Sequence, residues 1–311
     1  MMIGAIDIGG TKIAVGVVDE AGRVTARLES PTMAQRGFED ALARMKHMLR
    51  DCAKRAGAAI EGIGIGCTGP VDPFTGVILN ADLLPGWEGA DLAGALASEF
   101  GVRVAMENDA DAVALGEAVW GAGRGKRNFI YVTISTGIGV GVIADGRLYR
   151  GVDGFHPEIG HHVIDASAPR CYCGANGCWE SLASGPAMVE WMKQNGAAVE
   201  AGGPELTAER IFALAEAGDP LALRAVAREG YYVGVGLANL ITMYCPEAIA
   251  LGGGVTKSAR MFLPRARQVI RDNCRYVPHE KTAVVEAMLG ADAGLAGAAR
   301  VWHHRFTPER S

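Results

Sequence analysis

Ala5-Ile6-Asp7-Ile8-Gly9-Gly10-Thr11-Lys12-Ile13-Ala14-Val15-Gly16-Val17-Val18-Asp19 reads as strand, glycine turn, strand. Gly-Gly between β-rich flanks is a hairpin signal. The same grammar returns at Phe129-Ile130-Tyr131-Val132-Thr133-Ile134. There a Ser135-Thr136-Gly137 turn leads into a second strand, and Asp145-Gly146 turns into a third. Such a recurrence points to one unit used twice. Between the two hairpins, Phe38, Leu42, Met45 and Leu49 recur at helical spacing over 38–56. Short apolar strands follow at 60–66 and 102–106, with helices at 91–100 and 110–120. The later half reads as mostly helical. Asp219-Pro220 is an N-cap with Pro at the first helical position, a further helix covers 231–244, and a last one 291–302. Alternating strands and helices define an α/β protein.

The whole chain has 311 residues, enough for two domains at roughly 150 each. The Gly121-Ala122-Gly123-Arg124-Gly125-Lys126 stretch marks the expected boundary. It leaves an N-terminal α/β domain at 1–121, joined by the C-terminal helix at 291–303. A larger α/β domain spans 122–290 and a tail 304–311. At 49% hydrophobic and 21% charged the chain can bury a sizeable core. A net charge of −5 with both signs interspersed leaves no basic footprint for nucleic acid. No run approaches the ~18 apolar residues of a membrane span. The first residues lack the basic n-region of a signal peptide, so a cytoplasmic protein is expected.

Glycine is abundant, at 43 residues. Many of these glycines fall in loops that follow strands. Asp7 ends a strand before Gly9-Gly10-Thr11-Lys12, where bare backbone N–H groups, a hydroxyl and an ammonium suit a phosphate. Asp7 can hold hydrated Mg²⁺, which favours carboxylate plus phosphate oxygens. The spacing is neither a P-loop nor a dinucleotide fingerprint. Thr133, Ser135 and Thr136 with Gly137 form a second such loop, and Gly252-Gly253-Gly254 a third. Each alone is an ordinary turn. Together, on a duplicated scaffold, they favour a nucleotide cleft between two domains.

His161, Cys171, Cys173 and Cys178 lie close in sequence. Three thiolates and one imidazole make a closed tetrahedral zinc site, and His162 is the alternative imidazole. If one nitrogen of His161 binds metal, the other is a fixed donor. Glu158 and Glu180 flank the cluster, as befits a polyhydroxylated ligand. Cys52, Cys67, Cys245 and Cys274 are scattered and read as small core residues.

These motifs resemble the ROK family of repressors, open reading frames and sugar kinases. Asp7-Ile8-Gly9-Gly10-Thr11-Lys12 is similar to its first phosphate motif, and Glu107-Asn108-Asp109-Ala110 to its catalytic motif. Glu158-Ile159-Gly160-His161 with Cys171-Tyr172-Cys173-Gly174 through Cys178-Trp179-Glu180 resembles its sugar and zinc signature. Leu251-Gly252-Gly253-Gly254 resembles its adenosine loop. The resemblance implies a duplicated actin-like, ribonuclease H-like ATPase fold and an ATP-dependent hexose kinase acting on a 6-hydroxyl, that of glucose foremost. Fructose, mannose, N-acetylglucosamine or N-acetylmannosamine are the alternative substrates, and a non-catalytic sugar sensor is the alternative of another class. His156-Pro157 before Glu158 is similar to the fructokinase branch, whereas Gly69-Pro70-Val71-Asp72 and Leu84-Pro85-Gly86-Trp87 look more like glucokinases and amino-sugar kinases. By this likeness Asp109 is the base, and Asn108, Asp109, Glu158, His161, Glu180 and Gly69 bind the sugar. Asp7, Gly9, Gly10, Thr11, Lys12, Thr136, Gly137, Gly252, Gly253 and Gly254 serve the nucleotide. Zn²⁺ is structural, Mg²⁺ accompanies ATP, and a homodimer is expected.

Overall fold

A computed structural model describes residues 1–197 and 205–307. The strands are β1 Ile3–Ile8, β2 Lys12–Val18, β3 Val24–Pro31, β4 Gly62–Cys67, β5 Val71–Asp72, β6 Val77–Ile78, β7 Val104–Asn108, β8 Phe129–Ile134, β9 Ile138–Ala144, β10 Arg147–Leu148, β11 Ala248–Gly252 and β12 Ala283–Glu286. The α-helices are α1 Phe38–Ala56, α2 Leu92–Phe100, α3 Asp109–Trp120, α4 Trp179–Ala183, α5 Gly185–Gln194, α6 Ala208–Glu216, α7 Pro220–Tyr244, α8 Ala259–Asn273 and α9 Ala293–Phe306.

Two five-stranded sheets run β3-β2-β1-β4-β7 and β10-β9-β8-β11-β12. Counted within each half, the order is the same, 3-2-1-4-5, and this is the expected duplication. In the first sheet β1 and β2 form the antiparallel hairpin, with Ile8 opposite Ile13. β1, β4 and β7 are parallel, so their carboxyl ends lie on one edge. In the second sheet β9 and β10 pair antiparallel, and β11 and β12 parallel.

Two compact units emerge, one of 1–131, 141–157 and 287–311, the other of 132–140 and 158–286. The first change of unit thus falls at 131/132, later than the Gly/basic stretch at 121–126. In the first unit one face of the sheet packs on α1 through Met45, Leu49, Ile6, Val15 and Ile63. The other face carries α9 through Leu295, Ala298, Ala299 and Trp302 against Ile3, Ala5 and Val18. Part of the glycine excess is explained here. A Cβ on Gly64 would overlap the Ala298 carbonyl, and one on Gly62 the Trp302 indole. Alternate glycines therefore let α9 lie directly on β4.

Three expectations are corrected. The segment 220–244 is one helix: Asp219 caps it by accepting from Ala222 N at 2.8 Å, and the chain does not break at Gly230. That glycine is a seat for α8, since a Cβ there would stand 2.7 Å from the Phe262 carbonyl. Cys245 is exposed rather than core, because it ends α7 in the left-handed conformation at φ 43°. α9 runs to Phe306, past the start of the expected tail at 304, and residues 308–311 lie outside the described ones. Among the described residues no helix is long and apolar enough to cross a membrane.

Candidate active site and metal centre

In the first unit the carboxyl ends of β1, β4 and β7 bring together Asp7, the Thr68-Gly69 turn and Asn108-Asp109. Open α/β sheets bind ligands at that edge. The helix begins one residue earlier than expected, at Asp109. Asn108 is its N-cap, accepting on Oδ1 from Ala110 N at 2.8 Å and Asp111 N at 3.4 Å. Asp109 Oδ1 accepts from Ala110 N at 2.8 Å, which holds the carboxylate at the helix mouth. Gly66 on β4 lies against both acids: a Cβ there would stand 3.6 Å from Asp109 Cα and 3.9 Å from Asp7 Oδ1. Burial first, then the charge of Asp109, push the Asp7 carboxyl up to about 7. A half-buried carboxylate close to another is a place where a cation lowers the energy. This environment fits a divalent metal.

The turn after Asp7 is tight. Gly9 N donates to the Lys12 carbonyl at 2.9 Å, and Thr32 Oγ1 donates to the Gly9 carbonyl at 2.7 Å. Gly10, Thr11 and Lys12 are exposed, and Lys12 Nζ pairs with Glu29 at 3.0 Å. Asn80 donates from its side chain to the Gly69 carbonyl.

Two buried polar contacts leave no signal in the sequence. The buried carboxylate of Glu107 is paired with Arg150, and that of buried Asp111 lies 2.9 Å from His156 Nδ1. They bracket Asn108-Asp109 on both sides, so the 150–156 strap is docked on the segment that carries the candidate base. Partners so far apart in sequence leave no periodic signal. The His156-Pro157 dipeptide was visible, but its partner was not.

The second unit holds the remaining residues. Thr136 and Gly137 form the turn after β8, and Gly252-Gly253-Gly254 the turn after β11, equivalent places in the repeat. Gly253 sits at φ +95°, where a Cβ would overlap the Ile134 carbonyl. Gly137 has a second reason to be glycine: a Cβ would stand 2.5 Å from Glu180 Oε2. That oxygen accepts from Ile138 N at 2.8 Å. Glu180, in the first turn of α4, is thus anchored to the very loop expected to hold phosphate. Glu158 precedes the single turn Ile159–His161, and its carbonyl accepts from His161 N at 2.9 Å. Gly160 backs that turn onto β9, where a Cβ would overlap the Ile138 carbonyl.

The donor atoms of His161, Cys171, Cys173 and Cys178 all lie within 4.8 Å of one another. Cys171 Sγ stands 3.7 Å from His161 Nδ1, and Cys173 Sγ 3.4 Å from Cys178 Sγ. Tetrahedral zinc with Zn–S of ~2.3 Å and Zn–N of ~2.0 Å has ligand–ligand edges of about 3.5–3.8 Å, so the donor set and its spacing fit. Burial raises the Cys171 and Cys178 thiols, while the backbone N–H of Ala175 lowers Cys173. His162 is engaged elsewhere: Nδ1 lies 2.6 Å from the Ile159 carbonyl and Nε2 3.1 Å from Asn239 Nδ2. With Nδ1 of His161 on the cysteines, its Nε2 faces Glu180 Oε1 at 3.9 Å and the Tyr172 hydroxyl at 3.2 Å. Tyr172 was passed over in the sequence because it lies between two ligands.

Fold and sites define a protein of the duplicated, actin-like ATPase class. The ROK family model matches residues 3–305, and the chain belongs to that family. It is 32% identical over 309 residues to a glucokinase of Thermotoga maritima, covering 97% of each chain. It is similar to the solved ROK family glucokinase of Streptomyces griseus in complex with glucose and AMPPNP, at 34% identity and TM-score 0.82, covering 96% of this chain and 98% of that one. It is also 33% identical to the xylose repressor of Bacillus subtilis over 83% of this chain and 65% of that protein.

Proposed function

We propose that this protein is an ATP-dependent hexose kinase that transfers the γ-phosphoryl group of ATP to the 6-hydroxyl of a hexose, glucose foremost. The observation that carries the reading is the pair Asp7 and Asp109. Two carboxylates stand at the ends of β1 and β7, on either side of β4, near enough for the charge of one to raise the other, in a chain whose glucokinase relative from Thermotoga maritima matches 97% of it.

Asp109 takes the proton of the 6-hydroxyl as that oxygen attacks the γ-phosphorus. The bond to the β,γ-bridging oxygen breaks and ADP leaves. A positioned general base is worth ~10²–10⁴ in rate. Asn108 spends Oδ1 on its cap and keeps Nδ2 for a sugar oxygen. Gly9 to Lys12, Thr136 and Gly252 to Gly254 receive phosphates and adenosine. Magnesium, when bound with ATP, neutralises phosphate charge, and Asp7 is the residue to hold it. Zinc, held by His161 Nδ1, Cys171, Cys173 and Cys178, supplies rigidity, since a closed four-ligand site is structural. Glu158, His161 Nε2 and Glu180 read sugar hydroxyls. A cytoplasmic homodimer completes the proposal.

The test is coupled ADP release with Mg·ATP and a panel of glucose, fructose, mannose, N-acetylglucosamine and N-acetylmannosamine. Turnover with glucose as the best acceptor is expected. Sugar binding without ADP release for any hexose would make the protein a sensor and refute the kinase reading.

A further inference from the structure

His161 Nε2 and Glu180 Oε1 face each other across 3.9 Å, too far for a direct hydrogen bond. One hydroxyl stands at the imidazole end of that gap. The phenol of Tyr172 lies 3.2 Å from His161 Nε2, close enough to Glu180 and Glu158 for their charges to add to burial in raising its pKa. Its ring meets the imidazole edge-on, at 5.2 Å and 87°. Both polar partners are fixed from behind. Glu180 Oε2 is tied to Ile138 N at 2.8 Å, and the other imidazole nitrogen is turned to Cys171. The tyrosine is 74% exposed, so little packing holds it in place. A phenol and a sugar alcohol have the same hydrogen-bonding inventory, one O–H donor plus acceptor lone pairs.

We propose that Tyr172 occupies, in the sugar-free protein, the subsite of a substrate hydroxyl, and that a sugar binds there by displacing it. The inference rests on the hexose-kinase reading, which supplies the polyhydroxylated ligand. With Nδ1 of His161 on the metal, Nε2 carries the one ring proton, and Glu180 Oε1 is the carboxylate oxygen not tied to Ile138, so the phenol and a sugar hydroxyl compete for the imidazole and for the space beside that oxygen. The apparent sugar affinity is therefore the intrinsic affinity reduced by the fraction of molecules whose subsite is open. Tyr172 sets that fraction for every sugar that uses the subsite. Removing its hydroxyl opens the subsite and tightens binding, the opposite of what removing a substrate contact does.

The experiment is titration calorimetry of glucose and of fructose into zinc-replete protein without nucleotide, for wild type, Tyr172→Phe and Tyr172→Ala, with zinc content measured in each. Tyr172→Phe should bind its preferred sugar about 5- to 50-fold more tightly, the range expected for freeing the imidazole and the space beside a carboxylate. Tyr172→Ala, which also removes the ring, should bind at least as tightly as Tyr172→Phe at equal zinc content. A wild type that binds sugar, with a Tyr172→Phe variant that binds it equally or more weakly, overturns this inference alone. Failure of all three proteins to bind either sugar overturns the hexose-kinase reading and this inference with it.

Discussion

Replacing Asp7 by Asn should stabilise the protein while disabling it, and the gain should depend on pH in a stated direction. The Asp7 carboxyl is lifted from 3.8 to about 7, chiefly by burial and next by Asp109. Between those values the unfolded chain has lost the proton that the folded chain keeps. Stability therefore falls as pH rises from about 4 to about 7, and the whole penalty is present above 7. At ~1.36 kcal/mol per pH unit the penalty is ~4 kcal/mol above pH 7 and ~2 kcal/mol at pH 5.5, as upper values. Asparagine has no charge to desolvate. Urea unfolding of magnesium-free, zinc-replete protein should show Asp7→Asn more stable than wild type at pH 8 by ~1–4 kcal/mol. That margin should shrink by ~1–2 kcal/mol at pH 5.5. The same variant should lose at least ~10² in kcat, because strained functional carboxylates trade stability for activity. An Asp7→Asn protein no more stable than wild type at pH 8, or a margin flat with pH, would refute the electrostatic reasoning.

Further outcomes follow from the second unit. Cys173→Ser should lose the metal and several kcal/mol of stability, since structural zinc contributes folding energy; elemental analysis with thermal melts checks it, and full zinc content would mean a wrong ligand set. Gly137→Ala puts a methyl 2.5 Å from Glu180 Oε2 and should raise the sugar KM about tenfold, roughly the loss of one hydrogen bond to a charged group. An unchanged sugar KM beside a raised ATP KM would return Gly137 to a purely phosphate-binding role.

The fold was legible because its signals are local. The Gly9-Gly10 and Ser135-Thr136-Gly137 turns between apolar runs exposed the repeat, and the two sheets have the same strand order. Asp219-Pro220 announced a helix start, as an acceptor side chain before Pro should. What failed depended on a partner distant in sequence. Gly230 resembles a helix break until α8 is seen to pack on it. Cys245 resembles a core residue until it is seen to end α7. The cysteine cluster was legible through ligand spacing, and the structure brings its four donors together with His161 rather than His162. The Arg150–Glu107 and His156–Asp111 contacts have no sequence signal, since tertiary pairing has no period. Tyr172 shows a different blindness: its neighbours' chemistry drew attention, while its own hydroxyl acquires meaning only from where His161 and Glu180 point.

The most direct test of the central claim is the initial rate of ADP release from Mg·ATP with glucose, for wild type and Asp109→Asn side by side, with glucose affinity measured on both. The account predicts steady turnover for wild type, a fall in kcat of at least ~10² for the variant, and glucose affinity preserved within a few-fold. A variant that turns over at near wild-type kcat would contradict it, because the proton of the 6-hydroxyl would then have another acceptor.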